Sequence, residues 1–295
     1  MKPAKTTVRS RCNGQAAAAG DGGRLVWLGA WLVVALSLSA RMSAGAELRL
    51  QFSDLPKETN QSAAMTLPGL PDGAKKLELL LVPGRGRVKP FFMGKYEVTQ
   101  AQYVSLMNTN PSIFQHGPDH PVETMTWDDA KEFCRRLTVG LPGALKAQFA
   151  FRLPTDVEWS LAVGLPEEPG DTPMERGCKI KGLYPWGTEW PPPKGAGNYG
   201  GNFGVDEHLG TTPVSSFKPN RYGLYDLGGN VWEFCEDWCD TDQTTKALRG
   251  ASCMTRCGEC LRSSARDCVP RDPTDANARS PDRGFRVVLV GRLAP

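Results

Sequence analysis

The stretch Tyr222-Gly-Leu-Tyr-Asp-Leu-Gly-Gly-Asn-Val-Trp-Glu-Phe234 puts turn, core and charge into one short run. Gly228 and Gly229 serve a turn, Trp232 belongs in a core, and Asp226 and Glu233 stand on either side of the glycines. Free turn carbonyls beside carboxylates can complete the oxygen-rich shells that calcium takes, and Asp206, next to another glycine-rich segment, extends the same pattern. Turn-stabilising Asp and a solvated Glu produce it too, so spacing alone leaves both readings open.

Around this run the chain cannot sustain helices. Pro185, Trp186, Gly187, Trp190, the prolines 191–193 and the glycine-rich 195–204 segment leave short strands between ordered loops as the solution for so many aromatics. The 32 Gly and 24 Pro agree, since together they are about 19% of the chain against an ordinary usage of about 12%. Upstream, three helix starts carry a Thr cap with an acidic or amide residue three positions on: Thr99-Gln-Ala-Gln102, Thr126-Trp-Asp-Asp129 and Thr155-Asp-Val-Glu158. After Thr126, the residues Trp127, Ala130, Phe133, Cys134 and Leu137 recur at helical spacing, which predicts one buried face. The run Val88–Val98 reads as a strand. No repeat and no low-complexity linker divides this part of the chain, so one α+β domain with long loops is expected.

The 295 residues carry a formal charge of +3, and its location decides its meaning. Lys2, Lys5, Arg9, Arg11, Arg24 and Arg41 face only Asp21 in the first 46 residues, so the remainder carries a slight acidic excess. That removes the electrostatic case for nucleic acid or for an anionic membrane surface. Between Arg24 and Arg41 lies an apolar stretch, Leu25–Ala40, followed by the small-residue pattern Ala44-Gly-Ala46. Residues 1–46 are expected to be a signal peptide, or a retained N-terminal anchor that would be the one contact with a membrane. The protein is therefore expected to be exported, to a periplasmic, extracellular or ER-type compartment. Residues 47–76 read as a lead-in with first strands, and 77–295 as the domain.

Outside the leader there are eight cysteines: Cys134, Cys178, Cys235, Cys239, Cys253, Cys257, Cys260 and Cys268. An even number in an oxidising compartment predicts up to four disulfides, with the crowded Cys235–Cys268 region stapled. Four soft ligands at Cys253, Cys257, Cys260 and Cys268 also permit a zinc or monovalent copper site. Hydrolase and nucleotide motifs are missing: there is no G-x-S-x-G, no Walker loop and no H-E-x-x-H. His116 and His120 sit among turn residues and read as structural.

Several blocks together resemble the sulfatase-modifying-factor family, the formylglycine-generating enzymes and their relatives. They are Met93–Tyr103, Asp119–Glu123 with Trp127–Ala130, Arg152–Trp159, Tyr184–Gly187, Tyr222–Phe234, Leu248–Ser252 and Gly284–Val288, in family order. The resemblance implies an α+β, C-type-lectin-like fold of the formylglycine-generating-enzyme type, poor in regular structure. It implies two calcium ions, one held by Asn198 and Asp206 with the carbonyls of Tyr199 and His208, the other by Asp226 and Glu233 with the carbonyls of Gly229 and Val231. Active members use copper and oxygen to convert a sulfatase cysteine to formylglycine, through two thiols five residues apart. Counted from Ser252, which would line the site, the second thiol falls on Cys260 and the first on Thr255.

A threonine hydroxyl cannot replace a thiolate for monovalent copper. Cys253 and Cys257 flank Thr255, and a shift of the loop by one or two residues would present either sulfur. Two functional classes follow. One is an oxidase acting on a sulfatase peptide through Cys260 with Cys253 or Cys257. The other is a noncatalytic, calcium-stabilised binding or scaffold domain, with Cys260 in a disulfide and a sulfatase or other exported protein as its partner.

Overall fold

Each of the three Thr caps starts a helix, because the threonine hydroxyl accepts the third backbone N–H while the side chain there accepts the cap's own N–H. The helices are α1 (Gln100–Met107), α2 (Trp127–Val139) and α4 (Asp156–Val163), and all three boxes close, including the aspartate version at Asp129. Along α2, Trp127, Ala130, Phe133, Cys134 and Leu137 are buried as their spacing predicts. Two short helices, α3 (Gly143–Gln148) and α5 (Pro173–Arg176), join them, the second on a capping box at Thr172 that the sequence reading missed.

The computed structural model describes residues 49–53, 62–200, 208–275 and 277–292. The expected leader at 1–46 and the expected calcium ligand Asp206 lie outside the described residues.

Among the described residues ten strands form two sheets. The first has the order β1 (Arg49–Ser53), β2 (Ser62–Thr66), β3 (Leu77–Val82), β4 (Phe91–Gly94), β10 (Val288–Gly291) and β5 (Phe149–Arg152), with every pairing antiparallel. The segment read as a lead-in thus supplies two strands of this sheet, and the C-terminal β10 is inserted between β4 and β5. The second sheet has the order β8 (Asp267–Pro270), β7 (Thr245–Arg249), β6 (Trp232–Trp238) and β9 (Arg283–Gly284), with β6 and β9 parallel. The core gathers Met65, Leu79, Phe133, Phe234 and Phe285, and a second cluster packs Phe91, Met93, Trp159 and Leu224 together. Trp159 is fully buried and Trp232 nearly so. Among the described residues no helix is long and apolar enough to cross a membrane.

The expected staple is reduced to one bridge, Cys239–Cys268, which ties the end of β6 to β8. Cys253, Cys257 and Cys260 are thiols, as are Cys134 and Cys235, which are buried in the core. Crowding in sequence thus yields neighbouring thiols at Cys257 and Cys260 without a bridge between them. The noncatalytic expectation of a disulfide at Cys260 is corrected accordingly.

Candidate functional site

The site lies where the run 226–233 meets the loop that leaves β7. Gly229 donates its N–H to the Gly250 carbonyl (2.9 Å), and Cys253 donates to the Asn230 carbonyl (2.9 Å). Gly229, at φ +85°, has no room for a side chain, since a Cβ there would lie 2.4 Å from the Asn198 carbonyl oxygen. Asn230 in turn donates its N–H to that carbonyl at 2.8 Å. The segments expected to hold the two calcium ions are therefore in direct backbone contact.

The loop after β7 turns at Ser252–Thr255. Thr255 donates its N–H to the Ser252 carbonyl (3.0 Å), and its Oγ1 accepts the Ser252 N–H (2.9 Å) while lying 3.1 Å from the Ser252 hydroxyl. The Ser252 hydroxyl donates to Asp282 at 3.0 Å and accepts the Met254 N–H at 3.2 Å. Thr255, expected to stand at the first thiol position, is thus a buried oxygen clasp that closes its own turn.

Of the two flanking sulfurs, the fold brings one to Cys260. Cys253 is buried, and its thiol is pushed up to about 12 by that burial and by Asp282 and Glu97. It belongs to the acidic side of the loop. Cys257 is exposed and starts a 3-10 turn, Gly258–Leu261, in which Cys260 donates its N–H to the Cys257 carbonyl at 3.0 Å. Burial first, and the neighbouring Cys257 thiol after it, push the Cys260 thiol up to about 12. Cys178 faces the same place from another loop, held there by its N–H to the Ser264 carbonyl at 2.8 Å.

Beneath the glycine run lies an acidic centre. Glu233 accepts Trp159 Nε1 (2.8 Å) and two hydrogen bonds from Arg286 (2.7 and 2.5 Å), and both Glu233 and Arg286 are buried. Arg286 also donates to the carbonyls of Gly94, Tyr225 and Asp226. Glu97 is buried beside them, accepting Asn230 Nδ2 (2.8 Å) and the Val231 N–H (3.2 Å). Burial, then the charges of Asp226 and Glu233, raise its pKa well above the usual carboxylate range. Asp226 accepts the Ser215 N–H through Oδ2 (2.7 Å), but its buried Oδ1 has no hydrogen-bond donor. Burial first, and the Glu233 charge after it, push it up to about 6. Three buried carboxylates thus share one guanidinium, and an uncompensated buried anion is costly unless a cation joins it. The donor set fits a hard cation at Asp226, while both Glu233 oxygens already receive N–H donors.

For the other expected calcium ligands, Asn198 is buried, and its Nδ2 donates to the Gly210 carbonyl at 2.9 Å. Tyr199 is buried with an unpartnered hydroxyl, and His208 is exposed with its ring edge-on to Phe217. Among the described residues no group of three or more His, Cys, Asp or Glu side chains is arranged to hold a metal ion. His120 lies 3.0 Å from the Thr211 hydroxyl, a structural role. Sequence reasoning missed Glu97, which lay inside a family block but whose partners, Asn230 and Val231, are more than 130 positions away.

The sulfatase-modifying factor enzyme 1-like domain pattern matches residues 72–290. The chain belongs to the sulfatase-modifying-factor family. It is 35% identical over 197 residues to a formylglycine-generating enzyme of Thermomonospora curvata, covering 57% of this chain and 55% of that one. It is 32% identical over 175 residues to the inactive C-alpha-formylglycine-generating enzyme 2 of Bos taurus, covering 57% and 50%. The matched region thus spans about half the length of these relatives. Among solved structures, Treponema denticola variable protein 1 superimposes with a TM-score of 0.50 at 21% identity, over 81% of this chain and 98% of that one. The fold is the α+β arrangement of this family, with little regular secondary structure. The copper that the family implies does not fit the Thr255–Cys260 register, because one of its two donors is a hard oxygen already engaged by Ser252.

Proposed function

We propose that this chain is a non-oxidising member of its family, an exported, calcium-stabilised domain that binds a protein partner of the sulfatase kind. The observation that carries this reading is Thr255, whose hydroxyl closes the Ser252 turn where the family chemistry needs a sulfur. The relative from Bos taurus, named as an inactive formylglycine-generating enzyme, supports the idea that the fold persists without the oxidase. One calcium ion would be held by Asp226 with the Gly229 and Val231 carbonyls, Glu233 joining only by giving up N–H donors from Arg286 or Trp159, and a second ion by Asn198 and Asp206 with the Tyr199 and His208 carbonyls. The unpartnered Asp226 Oδ1 and the excess of buried carboxylates support the first of these.

The test is to incubate the purified protein with copper, oxygen, a reductant and a Cys-x-Pro-x-Arg peptide, and to weigh the peptide by mass spectrometry. The expected result is no conversion of thiol to aldehyde above a Cys260→Ser control. Aldehyde that appears with the native chain and vanishes in that control overturns the proposal and assigns catalysis to Cys260 with another sulfur.

A further inference from the structure

Once Thr255 is excluded, two neighbouring thiols remain without a role. Cys257 and Cys260 are the ends of a C-x-x-C segment wound into a single 3-10 turn. A 3-10 helix rises about 2.0 Å per residue, so three residues set the two Cα atoms about 6 Å apart, inside the span a disulfide bridges. The Cys260 N–H to Cys257 carbonyl bond, at 3.0 Å, fixes that spacing.

The pair is asymmetric. Cys257 is open to solvent, whereas Cys260 is half-buried and packs against the core. On one side the turn is walled by Trp190: a Cβ on Gly258 would fall 2.6 Å from the indole, so glycine is what lets the ring lie directly on the loop. Glu259, between the two cysteines, is ion-paired with Arg262 at 3.1 Å, which offsets the nearest negative charge that would oppose thiolate formation. The structural bridge Cys239–Cys268 is a separate pair, just beyond the end of β6 and on β8.

We propose that Cys257 and Cys260 form a thiol–disulfide exchange site, with Cys257 as the attacking thiol, Cys260 as the resolving thiol, and an accessible organic disulfide as substrate. The Cys257 thiolate attacks one sulfur of the substrate disulfide, forming a mixed disulfide and expelling the first substrate thiolate, which takes up the proton Cys257 lost. Cys260 then gives up its proton and attacks Cys257 Sγ, releasing the second substrate thiolate and closing the Cys257–Cys260 disulfide. The protein is oxidised by two electrons and the substrate disulfide is reduced to two thiols. No metal or oxygen is consumed, so the proposal stands apart from the peptide-oxidation test above.

The full chain, with chelator present and without added copper, is mixed with glutathione disulfide in one arm and with a disulfide-linked peptide pair in the other. Samples are quenched in acid and alkylated, and the cysteine peptides are mapped by mass spectrometry. The native chain is expected to yield a Cys257–Cys260 disulfide and two substrate thiols per chain. Cys260→Ser should stop at a single mixed disulfide on Cys257. Cys257→Ser should react at least about tenfold more slowly, because exchange rates follow access to the attacking thiol. Cys178→Ser should leave the product unchanged. Thermal melting of each variant shows that it is folded. Exchange with either substrate supports the site, and a faster reaction with the peptide arm assigns it to protein disulfides. No exchange in either arm, a mixed disulfide on Cys178 or Cys260 in place of Cys257, or an oxidised pair that excess dithiol peptide fails to reduce overturns the proposal.

Discussion

On the proposed reading, a single hydroxyl, that of Thr255, stands where oxidase chemistry would need a sulfur. Thr255 Oγ1 accepts the Ser252 N–H and closes a turn, so the position is built for oxygen as well as occupied by it. Thr255→Cys supplies a sulfur five positions before Cys260. It should let the protein retain Cu(I) against a competing chelator, measured by titration, at a cost of about 1 kcal/mol for the weakened hydrogen bond. Asp156 decides stability at the same scale. Its buried carboxylate accepts from Arg249, Arg266 and Arg176. Burial alone would raise its pKa, but those guanidinium groups outweigh burial and hold it well below the usual carboxylate range. A depressed folded-state pKa means that the stabilisation is fully present above the unfolded value near pH 4 and is lost as pH falls from there toward the folded value. Asp156→Ala should cost about 3–5 kcal/mol at neutral pH by leaving buried guanidinium groups without their anion. In denaturant titrations, the difference between native chain and variant should shrink between about pH 4 and pH 2.

At the scale of elements, the capping boxes hold the helices in place and the helices hold the loops. Helix α2 packs its apolar face into the core and donates Trp127 Nε1 to the Cys235 carbonyl on β6 at 2.8 Å, so it connects the helical layer to the second sheet. Thr126→Ala removes the cap and should lower stability by about 1 kcal/mol in urea unfolding, with an unchanged slope. Helix α4 has a different task. Trp159 on it donates to Glu233 while Arg249 lies over its ring at 4.3 Å, linking the Asp156 cluster to the acidic centre. This linkage joins side chains on α4 to side chains on the neighbouring strands β6 and β7, far from α4 in sequence. Capping boxes are local patterns, which is why the three helices were legible in the sequence. The two ionic centres were not, because nothing local marks Asp156 or Glu97 as partners of residues about a hundred positions away.

At the scale of the molecule, two devices, one disulfide and one proposed calcium ion, hold the loop-rich half together. The Cys239–Cys268 bridge closes a segment of sequence separation 29. By loop-closure entropy its loss should cost about 3.5 kcal/mol, read as a lower melting midpoint in Cys239→Ser/Cys268→Ser. Calcium is the second. Excess chelator should lower the melting midpoint, since an ion bound only by the native state stabilises it by mass action, and Asp226→Ala should abolish that response. An unchanged midpoint would remove calcium from this chain. The sequence by itself determined the α+β class, the family blocks, the three principal capped helices and the position of Thr255, because each is a matter of spacing along the chain. Only the tertiary structure decided which sulfurs meet. It joined Cys239 to Cys268, kept Cys253 with the acidic side of its loop and set Cys257 against Cys260. Pairing of thiols depends on the distances and directions that a fold imposes on side chains, and spacing in a loop-rich region carries almost none of that information.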